Sequence, residues 1–301
     1  MSITDDDTGP QLVNRTLAVK TFGITDKGRI RPSNEDHFLI ADLTKAMRIS
    51  QTSLPGKQTQ FGEERGHLFL IADGMGGHQG GEYASALAVL AIQQFTLNTL
   101  RWFFESNKQE AQRVLAAFQT ALGQADVRVR EEAADHEELK GMGTTVTMAY
   151  HLDAQLCVVH VGDSRAYLYR ADELHQLTRD HTLVADMVRS DAIQQEDAAH
   201  HRFRHVITNV VGGDEAGVKV EAHALEVRAG DRLLLCSDGL TEMVTDDAII
   251  ATLRAEPEPD SACAKLVAQA NEAGGRDNVT VLIVRFDPEQ SESRPGGQLA
   301  G

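Results

Sequence analysis

At 301 residues, 42% of them hydrophobic, the chain has room for one large domain or two small ones and ample apolar material for a core. Forty-five Asp plus Glu against 29 Lys plus Arg give a formal charge of −16, a field that repels nucleic acid and anionic membranes and argues against both as partners. The opening MSITDDDTGP lacks the basic-then-apolar signal pattern, no apolar run could span a bilayer, and Cys157, Cys236 and Cys263 cannot all pair, so a cytoplasmic protein without a disulfide framework is expected.

Residues 1–14 are polar and aperiodic, and a flexible N-terminus is expected there. From 15 to 286 no repeat or linker-like break appears, which predicts a single domain. Its first strand-like runs are HFLIAD (37–42) and HLFLIAD (67–73), separated by a polar stretch, 43–66, that reads as an insertion. Helical periodicity follows Gly81 and again covers 108–134. TTVTMAYHL (144–152), QLCVVHV (155–161) and AYLYR (166–170) read as consecutive strands joined at 152–154 and 162–164, which predicts antiparallel pairing. Residues 179–213 mix helix signals with His200, His201 and His205. DRLLLCSD (231–238) and NVTVLIVRF (278–286) are further strands, with helices at 246–255 and 260–273, and a polar tail expected to be disordered runs over 287–301. Several strands are apolar on both faces, and the helices bracket the strands instead of alternating with them. Those two facts predict an α/β sandwich (α+β) whose antiparallel strands are covered on both sides, by another sheet or by helices.

Acidic residues recur at the ends of these strands. Asp73 closes one apolar run, Asp163 follows QLCVVHVG, Asp238 follows DRLLLCS, Asp277 precedes NVTVLIVRF, and Glu35 and Asp36 precede HFLIAD. One such aspartate is ordinary turn chemistry; five placements predict a shared cleft whose like charges require cations. Oxygen donors without a Cys/His set favour Mg²⁺ or Mn²⁺, and Gly74 and Gly239 allow close backbone approach. Two ions about 3.5–4 Å apart would activate a shared water for attack on phosphorus. Arg31, in RIRPSNED, is placed to grip phosphate oxygens through its planar fork of donors.

In order along the chain, RxxxED (31–36), ADGMGG (72–77), GMGTT (141–145), VGDSRAY (161–167), TRDHT (178–182), SDGLTE (237–242) and GGRDNVT (274–280) resemble the motifs of the bacterial metal-dependent Ser/Thr protein phosphatases of type 2C. The resemblance implies two antiparallel sheets flanked by helix pairs and a two-metal centre at one edge. It implies Asp73 as bridging ligand, Gly74 as carbonyl ligand, Asp238 and Asp277 on one ion, and Glu35 on the other through water, with Asp36 as supporting carboxylate. Asp163 would join Asp238 at a third ion, Arg31 would bind phosphate, and 182–211 would form a flap beside the cleft. The implied activity is hydrolysis of phosphoserine or phosphothreonine by a metal-bridging hydroxide. The expected partners are phosphorylated proteins, the targets of a Ser/Thr kinase, met by a monomer.

Two positions depart from the pattern. Some members carry histidine after the DG, where this chain has Met75, whose thioether donates no proton; a metal-bound water or another residue, His78 being the candidate, would take that role. Glu242 is a candidate for the third ion. A catalytically silent, phosphoprotein-binding module is the alternative, set against by the presence of Asp73, Asp238 and Asp277; a nuclease is set against by the net charge. The flap histidines, interleaved with Arg202 and Arg204, read as a cationic face rather than a zinc site.

Overall fold

The computed structural model describes residues 17–48, 59–76, 80–98, 108–198 and 201–289. In chain order, β1 (Leu17–Asp26), β2 (Asp36–Arg48) and β3 (Thr59–Met75) precede helices α1 (Gly80–Asn98) and α2 (Lys108–Asp135). Strands β4 (Gly143–Thr144), β5 (Val146–Leu152), β6 (Gln155–Val161), β7 (Arg165–Arg170) and β8 (Glu173–Gln176) follow. Short helices α3 (Leu183–Arg189) and α4 (Gln195–Ala198) come next, then β9 (Val211–Gly212), β10 (Glu221–Glu226) and β11 (Arg232–Cys236). Helices α5 (Asp238–Thr241), α6 (Asp246–Ala255) and α7 (Pro259–Glu272) lead to β12 (Val279–Pro288).

The strands form two antiparallel sheets, one ordered β1-β12-β11-β7-β8, the other β10-β6-β5-β3-β4-β9 with β2 on the remaining edge of β3. Period-2 alternation explains how they stack. In β3, Phe69 and Ile71 face the other sheet while Leu68, Leu70 and Ala72 face α1 and α2. In β12, Leu282, Val284 and Phe286 enter the same inter-sheet core, and Val279, Val281 and Ile283 meet α6 and α7. Each of these strands is therefore buried on both faces, and the result is four layers, helix, sheet, sheet, helix. Thr182 caps α3 through Ala185 N–H at 3.2 Å, Thr245 caps α6, and Pro259 opens α7, where a missing N–H costs nothing.

Several expectations change. β6 and β7 are consecutive but lie in different sheets, so Gly162-Asp163-Ser164 is a crossing between layers and not a hairpin; only 152–154 joins paired strands. Within the polar stretch 43–66, the described residues 43–48 and 59–66 are strand, because β2 and β3 stay paired out to Arg48 opposite Thr59, beyond the point where β5 stops. The expected tail begins too early, since Asp287 and Pro288 pair with Ala18 and Leu17. β1, β8, β9 and β10 were not foreseen. The expected N-terminal segment 1–14, His78, His200 and the tail from 290 lie outside the described residues. Among the described residues no helix is long and apolar enough to cross a membrane. All three cysteines are buried and free.

Candidate metal centre

Strand pairing carries distant acidic residues to one end of the sandwich. Asp36, at the start of β2, stands opposite Asp73 near the end of β3. Asp238 follows β11 and Asp277 precedes β12, adjacent strands of the other sheet. Asp163 sits on the crossing between the sheets. Asp73 feels the charges of Asp36, Asp238, Asp163 and Asp277 together, and with burial as the larger cause they hold its carboxyl well above the usual range. Asp238 is raised in the same way, by burial first and then by Asp163, Asp277, Glu242 and Asp36. Burial and then Asp180 push Asp163 up to about 7. The predicted carboxylates therefore converge; Arg31 feels Asp277, Glu35 and Asp238, Arg165 partly offsets the charge on Asp163, and Asp277 Oδ2 accepts from Arg31 Nη2 at 2.5 Å.

Asp36 is held from both sheets. Its Oδ2 accepts from the hydroxyls of Ser237 (2.8 Å) and Thr280 (2.7 Å), while its buried Oδ1 has no partner. Burial, offset in part by those hydroxyls, leaves its pKa at about 6. Glu35 is fixed through its backbone: its N–H donates to Asn278 Oδ1 (2.8 Å), and its carbonyl accepts from Gly74 N–H (3.2 Å) and the Ser85 hydroxyl (2.6 Å). Glycine is required here by space. A Cβ on Gly74 would stand 2.0 Å from the Gly81 carbonyl oxygen, and one on Gly81 would stand 2.1 Å from Glu35 Oε2. The Asp73 carbonyl accepts from Thr145 N–H (2.8 Å) and the Thr144 hydroxyl (2.9 Å), which fixes the backbone at the end of β3.

Desolvated oxygen donors repelling one another, with an orphaned carboxylate oxygen behind them, fit hard divalent cations. Two compact triplets with ligand atoms within 4.8 Å also occur, His205–Asp238–Glu242 and His160–His181–Glu221. Asp73, Asp238 and Asp277, which the resemblance places together on one ion, do not form such a triplet, so their carboxylates stand wider apart here than ligation of a shared ion would draw them. His160 is already committed, its ring nitrogens meeting Thr147 Oγ1 (2.8 Å) and the carbonyls of Gly162 (3.0 Å) and Arg179 (3.1 Å). Met75 is 38% exposed beside the cleft. The hydroxyls of Ser237 and Thr280 and the amide of Asn278 are the supporting groups that the sequence reading missed, although each lies inside a quoted motif.

A two-sheet sandwich with clustered carboxylates at one end defines a class of metal-dependent hydrolase, and comparison with known proteins narrows it. The family model described as Protein phosphatase 2C matches residues 58–271, and the chain belongs to that family. The chain is 31% identical over 260 residues to the serine/threonine phosphatase stp of Listeria innocua, covering 86% of this chain and 93% of that one. The crystal structure of the Mycobacterium tuberculosis serine/threonine phosphatase PstP/Ppp superposes with a TM-score of 0.71 at 32% identity, covering 89% of this chain and 99% of that one. The PstP catalytic domain in complex with 2 manganese ions superposes at 0.69, also 32% identical, covering 90% and 100%.

Proposed function

We propose that this chain is a metal-dependent protein phosphatase that hydrolyses phosphoserine and phosphothreonine. The observation that carries the reading is the convergence of Asp36, Asp73, Asp163, Asp238 and Asp277 from both sheets beside Arg31, within a fold shared with named Ser/Thr phosphatases. Asp73, the Gly74 carbonyl, Asp238, Asp277 and Glu35 would hold two ions, Mn²⁺ or Mg²⁺, and Asp163 with Asp238 a third. When bound, such ions supply Lewis acidity toward phosphoryl oxygens and a water acidified into a nucleophile.

The chain's own residues do the remainder. Arg31, half exposed and paired with Asp277 on one side, turns its remaining N–H donors to the phosphate oxygens of the substrate. Asp36, gripped by Ser237 and Thr280, stays fixed behind Asp73 and keeps both sheets in register at the site. The leaving serine or threonine oxygen needs a proton that Met75 cannot give; His78 is the proposed donor. The catalytic domain is taken to span 15–286 together with the last residues of β12, and 182–211 to form the flap. Phosphorylated targets of a Ser/Thr kinase, a monomeric state and a cytoplasmic location complete the proposal.

Purified protein with Mn²⁺ is expected to hydrolyse p-nitrophenyl phosphate and a phosphothreonine peptide, to stop with chelator, and to lose nearly all turnover as Asp238→Asn. Undiminished turnover in that variant would overturn the ligand assignment.

A further inference from the structure

In a chain whose acidic residues outnumber its basic ones by 45 to 29, many arginines have carboxylates to pair with. Arg165 pairs with Asp180, Arg170 with Asp231, Arg254 with Asp172 and Arg285 with Asp287 and Glu258. Arg202 and Arg204 do not. Both are exposed on the segment between α4 and β9, and neither guanidinium has an ion pair or hydrogen bond among the described residues; Arg202 lies 4.3 Å above the Phe203 ring. The segment is nevertheless pinned: Arg204 N–H donates to His201 O (3.1 Å), Val206 N–H to Phe203 O (3.0 Å), and Leu183 N–H to Val206 O (2.8 Å).

The same segment reaches the catalytic edge. His205 Nδ1 lies 2.7 Å from Glu242 Oε1, and His205, Glu242 and Asp238 bring ligand atoms within 4.8 Å of one another. The residue next to Arg204 is thus in reach of a carboxylate of the proposed centre, so Arg204 and Arg202 lie one and three residues along the chain from a side chain at its edge. Guanidinium groups without internal partners, next to a cleft in an acidic protein, suit anionic groups on an incoming ligand.

Resting on the phosphatase reading, we propose that Arg202 and Arg204 are specificity-determining residues that select phosphopeptides carrying further anionic groups, acidic side chains or a second phosphate, beside the residue to be dephosphorylated. Two exposed charge pairs of this kind correspond to about a tenfold preference, weakened by salt because the contact is open to solvent.

The test compares kcat/KM for phosphothreonine peptides flanked by Asp/Glu, by a second phosphoserine, by Ala or by Lys, using wild type and an Arg202→Gln/Arg204→Gln variant with Mn²⁺. Wild type is expected to favour one or both anionic flanks over Ala about tenfold, and the arm that shows it identifies the source. The variant is expected to lose that preference while p-nitrophenyl phosphate turnover, which involves no flank, stays within about twofold. Equal rates on all flanks, or a preference that survives the double substitution, would overturn the proposal. Fluorescence anisotropy with an unphosphorylated acidic peptide reads the same face without turnover, and about tenfold weaker binding by the variant is expected. Absence of all turnover with tight acidic-peptide binding would sink the phosphatase reading and this proposal with it, leaving only an anion-binding face; equal binding by both proteins with turnover intact would sink this proposal alone.

Discussion

Acid is expected to weaken this fold through buried imidazoles, and His151→Phe isolates one of them. His151 is 2% exposed, neither ring nitrogen has a partner, and the ring packs 5.6 Å from His67 and 4.8 Å from Phe286. Burial, and then the neighbouring His67, lowers its pKa from 6.5 to about 3. The unfolded chain therefore binds a proton that the folded one refuses, so stability is complete above about pH 6.5 and is lost as pH falls toward 3. At about 1.4 kcal/mol per pH unit, His151 alone costs about 2 kcal/mol at pH 5, a sizeable share of the roughly 5–15 kcal/mol that holds a domain together. His160, also lowered to about 3 by burial and then by His181, adds a similar amount. The carboxylates oppose this. Asp163 and Asp36, raised to about 7 and about 6 by burial, take up protons more readily folded than unfolded, so in metal-free protein acid stabilises through them between about pH 7 and 4. Comparing two proteins cancels that contribution. Urea unfolding of wild type and His151→Phe, without metal at pH 7 and pH 5, is expected to show the variant gaining about 2 kcal/mol relative to wild type at the lower pH. A difference that is the same at both pH values would refute the argument.

Because Asp163, Asp36, Asp73 and Asp238 all have raised pKa values, Mn²⁺ binding near pH 6.5 is expected to expel protons and to weaken as pH falls; calorimetry in buffers of different ionisation enthalpy measures the release, and no dependence on buffer would contradict it. Arg31→Ala is expected to lower kcat/KM for p-nitrophenyl phosphate about 10–100-fold, the loss of charged hydrogen bonds of about 1.5–3 kcal/mol, with only partial recovery in Arg31→Lys; an unchanged value would remove Arg31 from phosphate binding. Gly239→Ala places a Cβ 2.0 Å from the Asn278 carbonyl oxygen, and thermal unfolding is expected to show a loss of about 1–3 kcal/mol, whereas an unaltered Tm would mean that the backbone yields freely.

How much of this was legible depended on burial. β3, β11 and β12 lie between two apolar layers, so their sequences are nearly continuous apolar runs and could be read directly. β1 and β10 are edge strands with half-exposed, mixed faces, LAVKTFGITD and EAHALE, and carry no such signal. The outer part of the β2–β3 hairpin was hidden for a related reason: beyond Gly66 only β2 pairs with β3, and with no second neighbour the sequence need not be apolar. Turn residues mark where a chain reverses but not which layer it enters, and so 162–164 was misread. At the centre, acidic residues at strand ends form a pattern visible in one dimension. The hydroxyls that steady Asp36 are 201 and 244 residues away from it, and only the alignment of β2 with β11 and β12 reveals their purpose.

That alignment has a mechanical corollary. Glu35, Asp36 and Asp73 belong to one sheet, Asp238 and Asp277 to the other, and Asp163 to the strap between them. Cations seated among these groups would rivet the two halves together, so affinity for them reports cohesion across the seam, and a substitution deep in the inter-sheet packing, at Phe69 or Leu282, is felt at the rim as looser grip.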